Sequence, residues 1–457
     1  LPPFMIPSAW FVVEAIPLLL SGKLDRASAQ AWLINMDSEM CGMSLSSERS
    51  EDVADSEMTS VGRQLRRIWS LVLNIDDEVM PMNRSLISLG GDSIMAIQIT
   101  TRCRDQSFGL SMQQIMKAKS IAELATLIKT EDRQTQDGAL EYEQETDGAF
   151  QLSPIQQFFF NNSSNKDHGD RFNQSQLLSV RDLIDASRFK QALDALVHRH
   201  PMLRARFKRS PDGLWTQHIE SDIGNSYSFR FHKSVARADM ISSINASQRD
   251  IHISTTFVVD LFEQPDGPQV VSLVAHHLVV DIVSWINIIQ DLETFLSAAP
   301  PILPKPLSFQ KWHATQVEHA KSLGRHGDDL LPFPVQPADL DFWGMSSTAN
   351  TYGDVIQKSF VLSDADVISL VLKDSHTTLR TEPLDLFISA LLSSFGETFG
   401  ERELPTLFNE GHGREPWDDT IDLSQTVGWF TSLCPVHVPR RDFDPEDIID
   451  GVRKIKD

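Results

Sequence analysis

Val270-Val271-Ser272-Leu273-Val274-Ala275-His276-His277-Leu278-Val279-Val280-Asp281-Ile282-Val283-Ser284-Trp285 is the stretch on which the fold turns. Val270 to Ala275 is a short, mostly apolar, Val-rich run, and the turn signal Pro265-Asp266-Gly267-Pro268 precedes it. A run of that kind predicts a buried strand. The strand delivers His276-His277. Beyond them, Trp285, Ile289 and Leu292, with Ile288 and Phe295 beside them, predict a helix starting near Asp281. Strand-like and helix-like runs alternate from residue 150 onward, which predicts an α/β body.

A His-His-x-x-x-Asp run admits three readings. Adjacent strand residues point to opposite faces, so the two imidazoles do not easily share one ion. No further ligand cluster stands nearby, and no metal site is expected. His276 is read as a structural histidine satisfied in the core. His277 is read as a base held at the end of a rigid strand, because imidazole titrates near neutrality.

The rest of the chain sets the context. Its 457 residues predict about three domains at roughly 150 each. Acids outnumber bases, 63 to 41, and the formal charge of −22 argues against nucleic-acid or anionic-membrane partners. The longest apolar runs, such as Ile16 to Leu20, are far below the roughly 20 residues of a membrane span. Cys41, Cys103 and Cys434 are widely separated, so reduced thiols and a cytoplasmic location are expected. Leu1 stands in mid-pattern without an initiator Met, which suggests a piece of something longer. Two stretches read as linkers: residues 37–60, with seven Ser and seven acids, and residues 131–149, with seven acids and one base.

Between the linkers, residues 61–130 read as a small helical bundle. Val61, Leu65, Ile68 and Val72 mark one helix face, and Ile121, Leu124, Ala125 and Ile128 another. Ser120 followed by Glu123 is a capping-box pattern. Leu89-Gly90-Gly91-Asp92-Ser93 leads into a helix carrying Ile94, Met95, Ile97 and Ile99. A phosphate ester on Ser93 would meet free N–H groups and the positive end of the helix dipole, whereas a plain N-cap is the simpler reading of Asp92-Ser93.

This block resembles the peptidyl carrier (thiolation) domain of nonribosomal peptide synthetases. The resemblance implies that Ser93 carries a covalent 4′-phosphopantetheine, whose thiol holds an aminoacyl thioester. It also implies a phosphopantetheinyl transferase as partner. Pro17-Leu18-Leu19-Leu20-Ser21-Gly22-Lys23-Leu24-Asp25-Arg26 resembles the last motif of an adenylation domain. Lys23 would there contact the acyl-adenylate, and it is expected to be inert without the rest of that domain.

His276 to Trp285 resembles the signature of the condensation-domain superfamily, which has the chloramphenicol-acetyltransferase fold. The resemblance implies two lobes, with His277 in the tunnel between them and Asp281 as a structural salt-bridge partner. Ile282 stands where the superfamily commonly has Gly. The Val283-Ser284-Trp285 extension is similar to the epimerization branch. So are Ser153-Pro154-Ile155-Gln156-Gln157-Phe158-Phe159-Phe160, Phe172-Asn173-Gln174-Ser175, and His200-Pro201-Met202-Leu203-Arg204-Ala205-Arg206-Phe207. In the second half, Arg380-Thr381-Glu382-Pro383-Leu384-Asp385, Glu410-Gly411-His412-Gly413-Arg414-Glu415 and Val427-Gly428-Trp429-Phe430-Thr431 agree.

The expected organisation follows. It comprises an adenylation tail (1–36), a linker (37–60), a four-helix carrier bundle (61–130) and an acidic linker (131–149). An epimerization domain follows, with an N-lobe (150–325) and an incomplete C-lobe (326–457) lacking the family's last motifs; this piece could be inactive for that reason. Epimerising an aminoacyl or peptidyl thioester removes the α-proton, passes through an enolate, and returns a proton to the opposite face. Two acid/base groups flanking the carbon suit that task, and the resemblance assigns them to His277 and Glu410. Glu410 would need a raised pKa to act as an acid, which partial burial could supply; alternatively it pairs with Arg414 at i+4. His276, Asp281 and Trp429 are assigned as structural neighbours, and His412 and Glu415 as structural. An upstream adenylation domain and a downstream condensation domain are the implied partners. A condensing domain making a peptide or ester bond, or an inactive docking lobe, are the competing readings.

Overall fold

The computed structural model describes residues 59–131 and 148–456 with gaps, the longer ones being 163–170, 325–330, 346–355 and 362–380. The expected adenylation tail with Lys23, most of both linkers, Cys41, Gly90, Asp92, Arg380 and Glu382 lie outside the described residues. The chain divides near residue 135 into two compact units.

Among the described residues, the smaller unit contains four helices: α1 (Ser60–Leu73), α2 (Ser93–Asp105), α3 (Met112–Lys117) and α4 (Ile121–Glu131). Thr59 caps α1 by accepting from the Gly62 N–H at 3.1 Å, and Asn74 ends it in a left-handed conformation, φ 52°. The apolar stripes meet inside. Leu65, Ile68 and Trp69 of α1, Ala96, Ile97 and Ile99 of α2, Ile115 of α3, and Ile121, Leu124, Ala125 and Ile128 of α4 are all buried. The Ser120 hydroxyl accepts from the Glu123 N–H at 3.1 Å, while the Glu123 carboxylate reaches back to the Lys119 N–H at 2.7 Å. The reciprocal cap therefore closes one residue further back than the simplest capping box.

In the larger unit the first half contains β1 (Phe150–Gln151), α5 (Pro154–Asn162), β2 (Asn173–Val180), α6 (Ala186–Arg199), β3 (Ala205–Arg209), β4 (Trp215–Ile219), β5 (Ser228–His232), α7 (Arg237–Asp250), β6 (Phe257–Phe262), β7 (Gln269–His276), α8 (Ile282–Phe295) and α9 (Phe309–Leu323). The second half contains α10 (Pro383–Thr398), the hairpin β8 (Leu407–Gly411) and β9 (Ser432–Val436), and α11 (Ile448–Lys456). The main sheet runs β2-β7-β6-β5, with β7 antiparallel to both neighbours and β5 parallel to β6.

Every residue of β6 and β7 is buried. Val259, Leu261, Val271 and Leu273 face a core shared with Phe189, Leu193 and Leu196 of α6 and Trp285, Ile288 and Leu292 of α8. On the other face, Phe262 and Val270 pack with Met240 of α7, and Val258 and Val274 with Ile251. A strand covered on both faces has no reason to alternate, which explains the continuous apolar run that marks β7 in the sequence. Leu423, Val427, Trp429 and Phe430, from the second half, complete the first core. Leu392, Leu404, Val438 and Phe443 form a separate one. Among the described residues no helix is long and apolar enough to cross a membrane.

Leu273 sits at 0% exposure in the middle of β7. Leu273→Ala is expected to lower unfolding free energy by about 2–5 kcal/mol, measured by urea denaturation.

Candidate functional site

The β7 ladder stops at His276, which pairs with Asn173 of β2. His276 is fully buried: its N–H donates to the Thr256 carbonyl (2.9 Å), its Nδ1 accepts from the Leu278 N–H (3.1 Å), and Phe159 meets its ring edge-on. The next residue leaves the strand and faces elsewhere. The His277 N–H donates to the Phe172 carbonyl at 2.6 Å. Its imidazole stacks on the Phe172 ring, centroids 4.6 Å apart and planes 13° apart, and touches Trp429 at 4.7 Å. Nδ1 of His277 is buried without a hydrogen-bond partner among the described residues. Burial lowers the His277 pKa below the ordinary 6.5, while backbone hydrogen bonds at His277 and Val280 and the charges of Asp281 and, least, Glu410 pull it back up. The lowered pKa favours the neutral imidazole near neutral pH.

The turn behind His277 is held from several sides. Buried Gln156 donates to the Leu278 carbonyl at 2.9 Å. Asp281 caps α8: its Oδ1 accepts from the Ser284 N–H (2.7 Å) and hydroxyl (2.8 Å). Arg414 Nη2 lies 2.8 and 2.9 Å from the two carboxylate oxygens, and the Phe430 N–H donates to Oδ2 at 3.2 Å. Arg414 is itself buried, donating to the Leu423 (2.9 Å) and Thr426 (2.6 Å) carbonyls and lying 3.9 Å over the Phe430 ring. Ser284 Oγ accepts from the Gly428 N–H at 3.0 Å, and Trp285 Nε1 donates to Gln174 at 2.9 Å.

Glu410 lies on β8 opposite Leu433. Arg414 does not pair with it: the guanidinium turns inward to Asp281, because Gly413, at φ 64°, reverses the chain between them. A Cβ on Gly413 would lie 1.8 Å from the Phe430 carbonyl oxygen, so only glycine fits. Glu410 is exposed, and the Thr431 hydroxyl donates to its carboxylate at 3.5 Å. His412 contacts Glu415 at 3.5 Å.

The condensation-domain model matches residues 146–456, and the phosphopantetheine-attachment-site model matches residues 63–128. The chain belongs to the condensation-domain family. Over its full length it is 58% identical to nonribosomal peptide synthetase 4 of Gibberella zeae and 36% identical to nonribosomal peptide synthetase 1 of Aspergillus fumigatus. It spans 6% and 7% of the length of those relatives. Among solved structures it resembles the epimerization domain from the third module of tyrocidine synthetase B, with TM-score 0.50 and 24% identity over 68% of this chain and 71% of that one. It also resembles a chain from the complex of the X-domain and OxyB from teicoplanin biosynthesis, with TM-score 0.50 and 16% identity over 68% and 70%. These two likenesses show the fold. The chain is thus a nonribosomal peptide synthetase segment with a carrier domain ahead of its condensation domain.

The carrier domain bears a covalently attached 4′-phosphopantetheine. The residues present fit the group. Ser93 opens α2, where the first N–H groups have no intrahelical acceptors and suit a phosphate. Just before it, a Cβ on Gly91 would meet the Leu86 side chain at 2.3 Å, so the turn into the helix needs glycine.

Phe172 and Arg414 were not singled out in the sequence as parts of the site around His277. Phe172 carried only a motif likeness, and the pairing of Arg414 with Asp281 joins positions too distant for any local charge pattern to reveal. Arg414→Ala is expected to destabilise the domain by about 3–5 kcal/mol in urea unfolding, since it strands the buried Asp281 charge. His277 binds its proton less readily folded than unfolded. Its contribution to stability is accordingly complete above pH 6.5 and lost as the pH falls below that value. Histidine NMR titration is expected to place His277 below 6.5, and Glu410→Gln to move it lower still.

Proposed function

We propose that the condensation-family domain epimerises the aminoacyl or peptidyl group carried by the neighbouring carrier domain, from the L to the D form. The observation that carries this reading is the buried His277 imidazole held between Phe172 and Trp429, with Glu410 joined to the segment bearing Trp429 through the Thr431 hydroxyl. When bound, phosphopantetheine supplies the thiol that holds the substrate as a thioester, whose carbonyl acidifies the α-proton. His277, whose pKa burial lowers below the ordinary value, is competent to take or give a proton. Glu410 is the counterpart on the opposite face, and the two exchange roles in the reverse direction. Phe172 and Trp429 fix the imidazole plane, and Gln156 and Asp281 fix the turn that presents it. In this reading an upstream adenylation domain charges the arm, a phosphopantetheinyl transferase modifies Ser93, and a downstream condensation domain consumes the D-configured acyl group.

One observation favours a second reading. Glu410 is exposed, and a condensing domain, which needs His277 but no second proton-transfer group, makes no demand on its burial.

The test is to load Ser93 with an L-aminoacyl pantetheine in D2O and follow chirality and α-deuterium by mass spectrometry. The expected outcome is a deuterated D/L mixture, with His277→Ala and Glu410→Gln each slowing exchange by about 10²–10⁴-fold. Bond formation to an added acceptor amine without α-exchange would overturn epimerisation and leave the condensing reading.

A further inference from the structure

Trp429 presents an unmet hydrogen-bond donor beside His277. The side chain is 6% exposed, and its Nε1 is buried with no partner among the described residues. An indole nitrogen can only donate, and buried donors are nearly always paired. The neighbouring Trp285 shows the usual solution, with its Nε1 donating to Gln174.

The indole of Trp429 is also firmly held. The Gly428 N–H is tied to Ser284 and the Phe430 N–H to Asp281, so the backbone on both sides is pinned to the start of α8. A Cβ on Gly428 would stand 2.3 Å from the Phe309 ring, which shows how tightly this segment is pressed into the core. The ring itself rests against both His277 and Phe172. A fixed, desolvated donor lies against the imidazole whose own Nδ1 is unpaired.

We infer that the Trp429 Nε1–H donates a hydrogen bond to the carbonyl oxygen of the acyl thioester, making Trp429 a catalytic residue. This rests on the epimerisation reading for its role in turnover. As the α-proton leaves for the base, the electron pair it leaves behind delocalises onto the carbonyl oxygen. A fixed, unpaired donor that meets that oxygen is stronger there as the charge develops than in the ground state. No covalent bond to the indole forms or breaks.

Two readouts test the proposal. The chain is loaded on Ser93 with either an aminoacyl-amide pantetheine, which keeps the carbonyl, or its methylene analogue, which lacks it. The indole N–H resonance of Trp429, assigned by its loss in Trp429→Phe, is expected to move downfield with the amide and not with the methylene analogue. Trp429→Phe keeps an aromatic ring against His277 and removes the donor. It is expected to slow α-deuterium exchange by roughly 10²–10³-fold in kcat while leaving the pH profile in place. A resonance that is the same with both analogues, or a phenylalanine variant exchanging at the full rate, overturns the proposal. Absence of exchange in the unaltered chain would instead overturn the epimerisation reading, and the indole resonance would still report whether the donor meets a carbonyl.

Discussion

A buried ion pair between Asp281 and Arg414 ties this domain's histidine turn to the segments that surround it. An isolated charge in a core is prohibitively unfavourable, and even a paired one needs its remaining lone pairs and protons met. Here the requirement is distributed, except at Arg414 Nε, which has no partner among the described residues. Asp281 also accepts from Ser284 and Phe430, and Arg414 also donates to the Leu423 and Thr426 carbonyls. Breaking either partner therefore disturbs the cap of α8, the loop bearing Trp429 and the turn after β8 together.

That arrangement explains how a shallow structural difference can decide chemistry. The main sheet, with both faces covered, makes β7 rigid to its last residue, and the chain then turns so that His276 serves the core and His277 faces the site. Consecutive residues of one type thus receive opposite surroundings from the pleat and the turn alone. The ion pair brings the second half of the domain against that turn, where the Trp429 ring lies 4.7 Å from the imidazole, centroid to centroid.

Much of the fold could be read from periodicity. The apolar run at Val270–Ala275 lies within an eight-residue strand, Asp281 caps the helix expected to start near it, and Ile121, Leu124, Ala125 and Ile128 all point inward. These are local signals, set by neighbours a few positions away. What the sequence did not disclose was long-range. Nothing in Glu410-Gly411-His412-Gly413-Arg414 announces that Gly413 takes a positive φ and swings Arg414 away from Glu410 toward a carboxylate 133 positions earlier. The exposure of Glu410 and the stacking of Phe172 on His277 likewise depend on how separate segments dock, which no pattern of spacing encodes.

The central claim is that the Asp281–Arg414 pair is what holds the Glu410 hairpin within electrostatic reach of His277. A double-mutant cycle on the His277 titration midpoint tests it most directly, comparing the effect of Glu410→Gln in the parent and in Arg414→Met, both followed by NMR under conditions where circular dichroism shows them folded. The expected result is that Glu410→Gln lowers the midpoint in the parent and has little effect once Arg414 is replaced. An equal shift in both backgrounds would contradict the claim, because the hairpin would then be positioned without the ion pair.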